Sequence, residues 1–129
     1  MIIDSSALLA ILQGEPEGPR FTDLLLAADT ALISAPNWLE ASMVMLSRRG
    51  EAGLADLNQF RTMARIEIVP FDGDHASIAL EAFQRFGKGR HSAALNLGDC
   101  CAYALARATG QPLLFKGHDF PQTDVASAA

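Results

Sequence analysis

MIIDSSALLAIL (residues 1–12) sets three apolar residues, one acid and two hydroxyl residues ahead of a second apolar run. MIID is too short and too apolar for a surface helix and reads as a buried strand. SSALLAIL has helical spacing, with Ser5 or Ser6 available as a cap. A buried strand has no packing use for a carboxylate. Asp4 at its end therefore either caps the next helix or belongs to a site.

Working outward, strand and helix signals alternate. PEGPRFTDLLLAAD predicts a second helix with Phe21, Leu24, Leu25 and Ala28 on one side, and ALIS a second strand. Ser34 can cap the helix APNWLEASMVMLSRRG, which Gly50 should stop. GLADLNQFRTMARI reads as another amphipathic helix and IEIVPF as the third strand. A helix begins at Asp72 or Asp74, a basic loop GKGRHSAALN follows, LGDCCAYALARATG predicts the next helix, and PLLF the fourth strand. The tail is polar, with a last small strand expected near Val125. Strands joined by helical crossovers imply a mostly parallel sheet covered on both faces, with ligands at the carboxyl ends of its strands.

The bulk numbers agree with one domain over residues 1–129. Half of the chain is hydrophobic and 19% charged, which argues against disorder. No stretch is long enough to span a bilayer, and the start lacks the leading Lys or Arg of a signal peptide, so a cytoplasmic protein is expected. Cys100 and Cys101 are adjacent, which suits reduced thiols of a core helix rather than a zinc site. The net charge of −5 opposes non-specific nucleic-acid binding unless the acids gather in one place and a cation reverses their charge.

They can gather. Asp4 and Asp119 follow strands, and Asp99 opens a helix, three residues after Asn96 in the pattern of a capping box. Glu40 sits beside a stripe of Leu39, Met43 and Leu46 read as a buried face, and is either a rim residue or part of a polar site. Clustered carboxylates suit Mg²⁺ or Mn²⁺ rather than zinc, and such an ion can activate water against a phosphodiester. Lys88, Arg90 and His91 in the basic loop, extended by Lys116 and Arg85, could contact RNA phosphates, and Trp38 and Phe120 could stack on bases or simply pack. His75 and His118 read as solvated or phosphate-contacting side chains.

MIIDSSALLAIL, NWLEASMVM (37–45), KGRHSAALNLGDCCAYALA (88–106) and PLLFKGHDFPQTD (112–124) together resemble the PIN-domain ribonucleases, and among them the VapC toxins of bacterial toxin–antitoxin pairs. The resemblance spans nearly the whole chain in order. It implies a three-layer α/β/α sandwich and Mg²⁺- or Mn²⁺-dependent endoribonuclease activity, with tRNA or rRNA as substrate class. By that likeness Asp4, Glu40 and Asp99 match the acids around the metal, Ser6 the hydroxyl beside the first, and Asn96 the polar residue before the third. Asp119 matches a fourth acidic position, which many relatives fill where this chain has Gly117; Asp124 is the alternative. The likeness also implies a VapB-like antitoxin, and the apolar helices suggest a groove for it or a homodimer face.

Two other classes fit parts of the pattern. A phosphoacceptor signalling domain also keeps acids and Mg²⁺ at such an edge, with Asp72 as its acceptor candidate and Lys116 as its lysine, but it wants an acidic pair where Ser5 and Ser6 stand. A non-catalytic binding module would use the acids only as caps.

Overall fold

The computed structural model describes residues 1–129 as one α/β unit. Its elements run β1 (Ile2–Ile3), α1 (Ser5–Leu12), α2 (Gly18–Ala27), β2 (Ala31–Ser34), α3 (Ala35–Ala64), β3 (Ile66–Val69), α4 (Gly73–Phe86), α5 (Leu97–Thr109) and β4 (Leu113–Leu114), with a 3₁₀ turn at Phe120–Gln122. The strands form one parallel sheet in the order β3-β2-β1-β4.

Alternation along the strands creates the three layers. Ile3, Ala31, Ile33 and Leu114 point to a core built with α1, α2 and α3. Ile2 and Leu113, with partly buried Leu32, point to the opposite core, filled from α4 and α5. Both faces of β1 are therefore dry, which is why MIID carries no polar residue before Asp4.

Gly50 interrupts α3 with φ +63° and ψ −150°, conformational space that a side chain resists. The expected stop is thus an internal turn between two helical halves. Gly53 lets them approach, since a Cβ there would stand 2.6 Å from the Met45 carbonyl oxygen. Arg49 and Asp56 pair across the turn at 2.6 Å.

Two local readings change, and the basic loop gains definition. The stripe of Leu39, Met43 and Leu46 is exposed, not buried; α3 turns Asn37, Ala41 and Met45 inward instead. Both sets have helical spacing, and the small Ala41 with the polar Asn37 can approach α1 and α5 more closely than bulky leucines could. The basic loop closes as a string of turns between a parallel bridge of Gly87 and Leu95. The strand near Val125 reduces to one parallel bridge between Leu113 and Ser127. Cys100 and Cys101 are free and buried in α5, as their placement suggested. No helix is long and apolar enough to cross a membrane.

Candidate active site at the carboxyl edge of the sheet

Asp4 leaves the ladder immediately after β1, its backbone N–H still bonded to the Leu114 carbonyl at 2.9 Å. Its extended backbone makes it the N-cap of α1. Oδ2 accepts from the Ser6 N–H at 3.0 Å and from the Ser6 hydroxyl, whose oxygen accepts in turn from the Lys116 N–H at 3.0 Å. Ser6 thus joins the ends of β1 and β4. Asp4 is only 3% exposed, and its Oδ1 is buried with no partner in the protein. Burial pushes its carboxyl up to about 7; the two bonds from Ser6 oppose the rise, and the nearby Asp99 and Glu40 add to it.

Asp99 stands on the first turn of α5. Asn96 Oδ1 accepts from its N–H at 2.9 Å, and Asp99 Oδ2 accepts from the Asn96 N–H at 3.0 Å, completing a capping box. One carboxylate oxygen is committed to the helix end; the other is left for the site. Burial holds this carboxyl above its usual range, against the Asn96 bond, and the charges of Asp119 and Glu40 raise it further. Asp119 therefore belongs to the same acidic neighbourhood, although exposed itself.

Glu40 reaches the cluster from α3. Ser5 donates its hydroxyl to Glu40 Oε1. Both Glu40 oxygens lie 3.1 Å from where a Cβ on Gly98 would be, so a side chain there would press the carboxylate away from the first turn of α5. Asn37, fully buried one turn earlier, donates from Nδ2 to the Gly98 carbonyl at 2.9 Å.

Four acids distant in sequence thus become electrostatic neighbours. They do not form a closed shell: no three His, Cys, Asp or Glu side chains are grouped to hold one ion as they stand. Ser5, Ser6 and Asn96 each hold one of them by a hydrogen bond. The donor chemistry nevertheless suits a hard dication. The oxygens are carboxylate oxygens, and a nearly dry carboxylate with an unpartnered atom lacks the compensation that buried charge requires.

Other sequence candidates have different work. Asp124 accepts from Tyr103 at 2.6 Å and pairs with Arg85 and Arg107, fastening the tail to α4 and α5. Its oxygens are thus engaged away from Asp99, whereas Asp119 is the acid whose charge reaches Asp99. The Tyr103 phenol and the two arginines hold the Asp124 carboxyl below the usual range, whereas those of Asp4 and Asp99 are raised. Lys116 Nζ pairs with Glu15 at 3.0 Å and Glu17 at 3.3 Å, so its charge is answered locally. His91 Nδ1 accepts from the Ala93 N–H and its ring meets Phe86 edge-on, bracing the loop. His118 is exposed, and His75 packs its ring edge-on against Phe71. Lys88 and Arg90 are exposed and form no ion pair. Trp38 is partly buried against the core under the Arg61 guanidinium, and Phe120 is buried on Phe115 and is not free to stack on bases. Asp72 caps α4 through the His75 N–H at 3.0 Å. It follows β3, which β2 separates from β1, so it stands away from the acids and offers no phosphoacceptor site among them.

Ser5, Asn37 and Gly98 complete the constellation, and sequence reasoning did not assign them to it. Ser5 carried only a capping signal, Gly98 none, and Asn37 the faint one of an amide in an otherwise apolar stripe.

A sheet-edge acid cluster on this topology defines a class. The PIN domain family model matches residues 1–126, and the chain belongs to that family. Within it, the chain is 44% identical over 129 residues to ribonuclease VapC30 of Mycobacterium tuberculosis, covering 100% of this chain and 98% of the relative. It is 45% identical over 127 residues to a ribonuclease VapC of Mycolicibacterium smegmatis, covering 98% of each. Among solved structures, the fold is similar to Mycobacterium tuberculosis VapC20, described as a sarcin-ricin loop cleaving toxin (TM-score 0.77, 16% identity, 97% and 95% of the two chains). It is also similar to VapBC2 from Rickettsia felis bound to a DNA fragment from their promoter (TM-score 0.76, 16% identity, 98% and 94%).

Proposed function

We propose that this chain is a VapC-type endoribonuclease toxin whose activity depends on Mg²⁺ or Mn²⁺. The observation that carries the metal assignment is the buried Asp4 carboxylate, with one oxygen unpartnered and with Asp99 and Glu40 as charged neighbours. Full-length likeness to ribonucleases supports the reaction class.

Asp4 and Asp99 would hold the ion through the oxygens that Ser6 and Asn96 leave free. When bound, the ion stabilises charge on the phosphoryl oxygens and lowers the pKa of the attacking water. Glu40, oriented by Ser5, supports a second ion or aligns the water, and Asp119 contributes from the rim. Lys88 and Arg90, in the loop leading to Asn96, supply phosphate contacts that bring RNA to the acids. The substrate class is a structured cytoplasmic RNA, tRNA or rRNA.

The exposed Leu39, Met43 and Leu97 line or border an apolar groove of about 470 Å³ that also includes Glu40 and Gly98. Leu39 and Met43 are each 59% exposed and Leu97 81%, more apolar surface than one place on a monomer needs. This face is where a second copy packs, and a VapB-like antitoxin would silence the toxin by reaching the acids beside it.

The test is cleavage of total cellular RNA by the purified chain with and without Mg²⁺ or Mn²⁺. Cleavage should require the ion and fall at least about 100-fold in Asp4→Asn and in Asp99→Asn. Undiminished cutting by both variants would reject the site.

A further inference from the structure

We propose that Asn37 is a positioning residue for the acidic site: by bonding to Gly98 it sets where Asp99 and Glu40 stand relative to Asp4. The inference rests on the nuclease reading and concerns a residue outside the four acids.

Asn37 is fully buried on a helix face otherwise completed by Ala41 and Met45. An apolar residue of similar volume would suit both the helix and the core better. Its bond is not needed to satisfy Gly98. That carbonyl lies in the first turn of α5, where the helix itself supplies an N–H four residues on. The Asn37 amide is a second donor to the same oxygen, so the bond orients rather than rescues.

What it orients is specific. Asn37 and Glu40 lie one turn apart on α3, and both meet Gly98, the residue immediately before Asp99. The amide holds the Gly98 backbone while the Glu40 carboxylate fills the space its missing Cβ leaves. Two acids on different helices are thereby referenced to one backbone unit. Asn37 Oδ1 and the hydroxyl of Ser34 are buried without partners in the protein. Ser34 occupies the N-cap position of α3 yet makes no side-chain cap bond there. The strand register that pairs Ile2 with Leu32 brings Ser34, two residues on, beside Asp4. Polar atoms retained at this cost mark the floor of a site rather than a core position chosen for packing.

The discriminating variant is Asn37→Leu in the full chain, which keeps the branching and the number of heavy side-chain atoms and removes the donor. Three measurements are compared with wild type: Mn²⁺ affinity by calorimetry, kcat and KM for RNA with Mn²⁺, and hydrogen exchange of the Asp99–Ala102 amides without metal. The expected result is undiminished thermal stability, Mn²⁺ binding weakened about 10- to 100-fold, a lower kcat at unchanged KM, and faster exchange at those amides. If leucine does not pack, Asn37→Ala, with affinity and kcat expressed per folded molecule, gives the same comparison. A folded variant with wild-type Mn²⁺ affinity and kcat overturns the proposal. If the wild-type chain neither binds Mn²⁺ nor cuts RNA, the nuclease reading itself has failed; faster exchange would then show Asn37 to be only a structural latch, which also overturns the positioning role.

Discussion

Asp4 uses one oxygen to cap α1 and leaves the other without a partner, so a single residue ends a strand, starts a helix and brings an unpaired carboxylate oxygen to the site. Its stability effect has a definite sign. Below the ordinary carboxyl value of 3.8 it is protonated in both folded and unfolded chains, and its contribution to stability is fully present. Between that value and about 7 the unfolded chain gives up the proton while the folded one keeps it, so stability is lost as pH rises through this window. With EDTA present, the melting temperature should therefore fall from pH 4 to pH 7, and Asp4→Asn should remove most of that slope. Asp99, raised for similar reasons, leaves a residual slope of the same sign. Mn²⁺ should counter the loss at pH 7, by about 2.7 kcal/mol at one hundred times its dissociation constant, and should do so far less in Asp4→Asn. Calorimetric melting across pH with and without metal checks both. A pH-independent melting temperature in EDTA would show that the buried carboxyl is not the source.

At the scale of elements, glycines decide where helices turn and meet. Gly98 sits in helical backbone, with no positive φ, so alanine there should preserve or raise stability through helix propensity, by up to about 1 kcal/mol. Its Cβ would press on both Glu40 oxygens at 3.1 Å. Gly98→Ala should accordingly lower kcat about 10- to 100-fold with no fall in melting temperature; equal activity would mean that Glu40 can move aside without consequence. Gly50 shows the opposite pattern. Its positive φ is resisted by a side chain, so Gly50→Ala should destabilise the chain by about 1–3 kcal/mol in urea unfolding. Asp4 and Asp99, the proposed ligands, are held by other elements, so metal affinity should be retained in the molecules that remain folded.

For the whole molecule, the two cores leave one face unfinished. Leu39, Met43 and Leu97 project beside the acids, and a second apolar cavity of about 370 Å³ lined by Phe71, Leu80, Phe83 and Cys100 lies on the other side of Leu97. The proposed self-association through this face predicts a dimer in sedimentation. Leu39→Glu combined with Met43→Glu should give a monomer that keeps its secondary structure, because neither side chain is in a core cluster. A double variant sedimenting as wild type would place any dimer elsewhere.

The alternation of short apolar runs with helical ones was enough to specify a parallel sheet, because a strand buried on both faces admits only apolar residues and a crossover admits only certain connections. The carboxyl-edge rule then drew attention to Asp4, and the Asn96–Asp99 spacing signalled a capping box that the structure contains. Sequence did not reveal which stripe of α3 faces inward, since Leu39–Met43–Leu46 and Asn37–Ala41–Met45 share one periodicity and burial is settled by the neighbour that packs there. It could not separate Asp119 from Asp124 either. Both follow the last strand, and only packing sends one toward Asp99 and the other to Tyr103, Arg85 and Arg107. The sequence by itself determined the order of the elements and the residue types offered to the site, because periodicity and capping are local. The tertiary structure alone decided that Ser5, Asn37 and Gly98 join the acids, because their roles consist of contacts with segments that are distant along the chain.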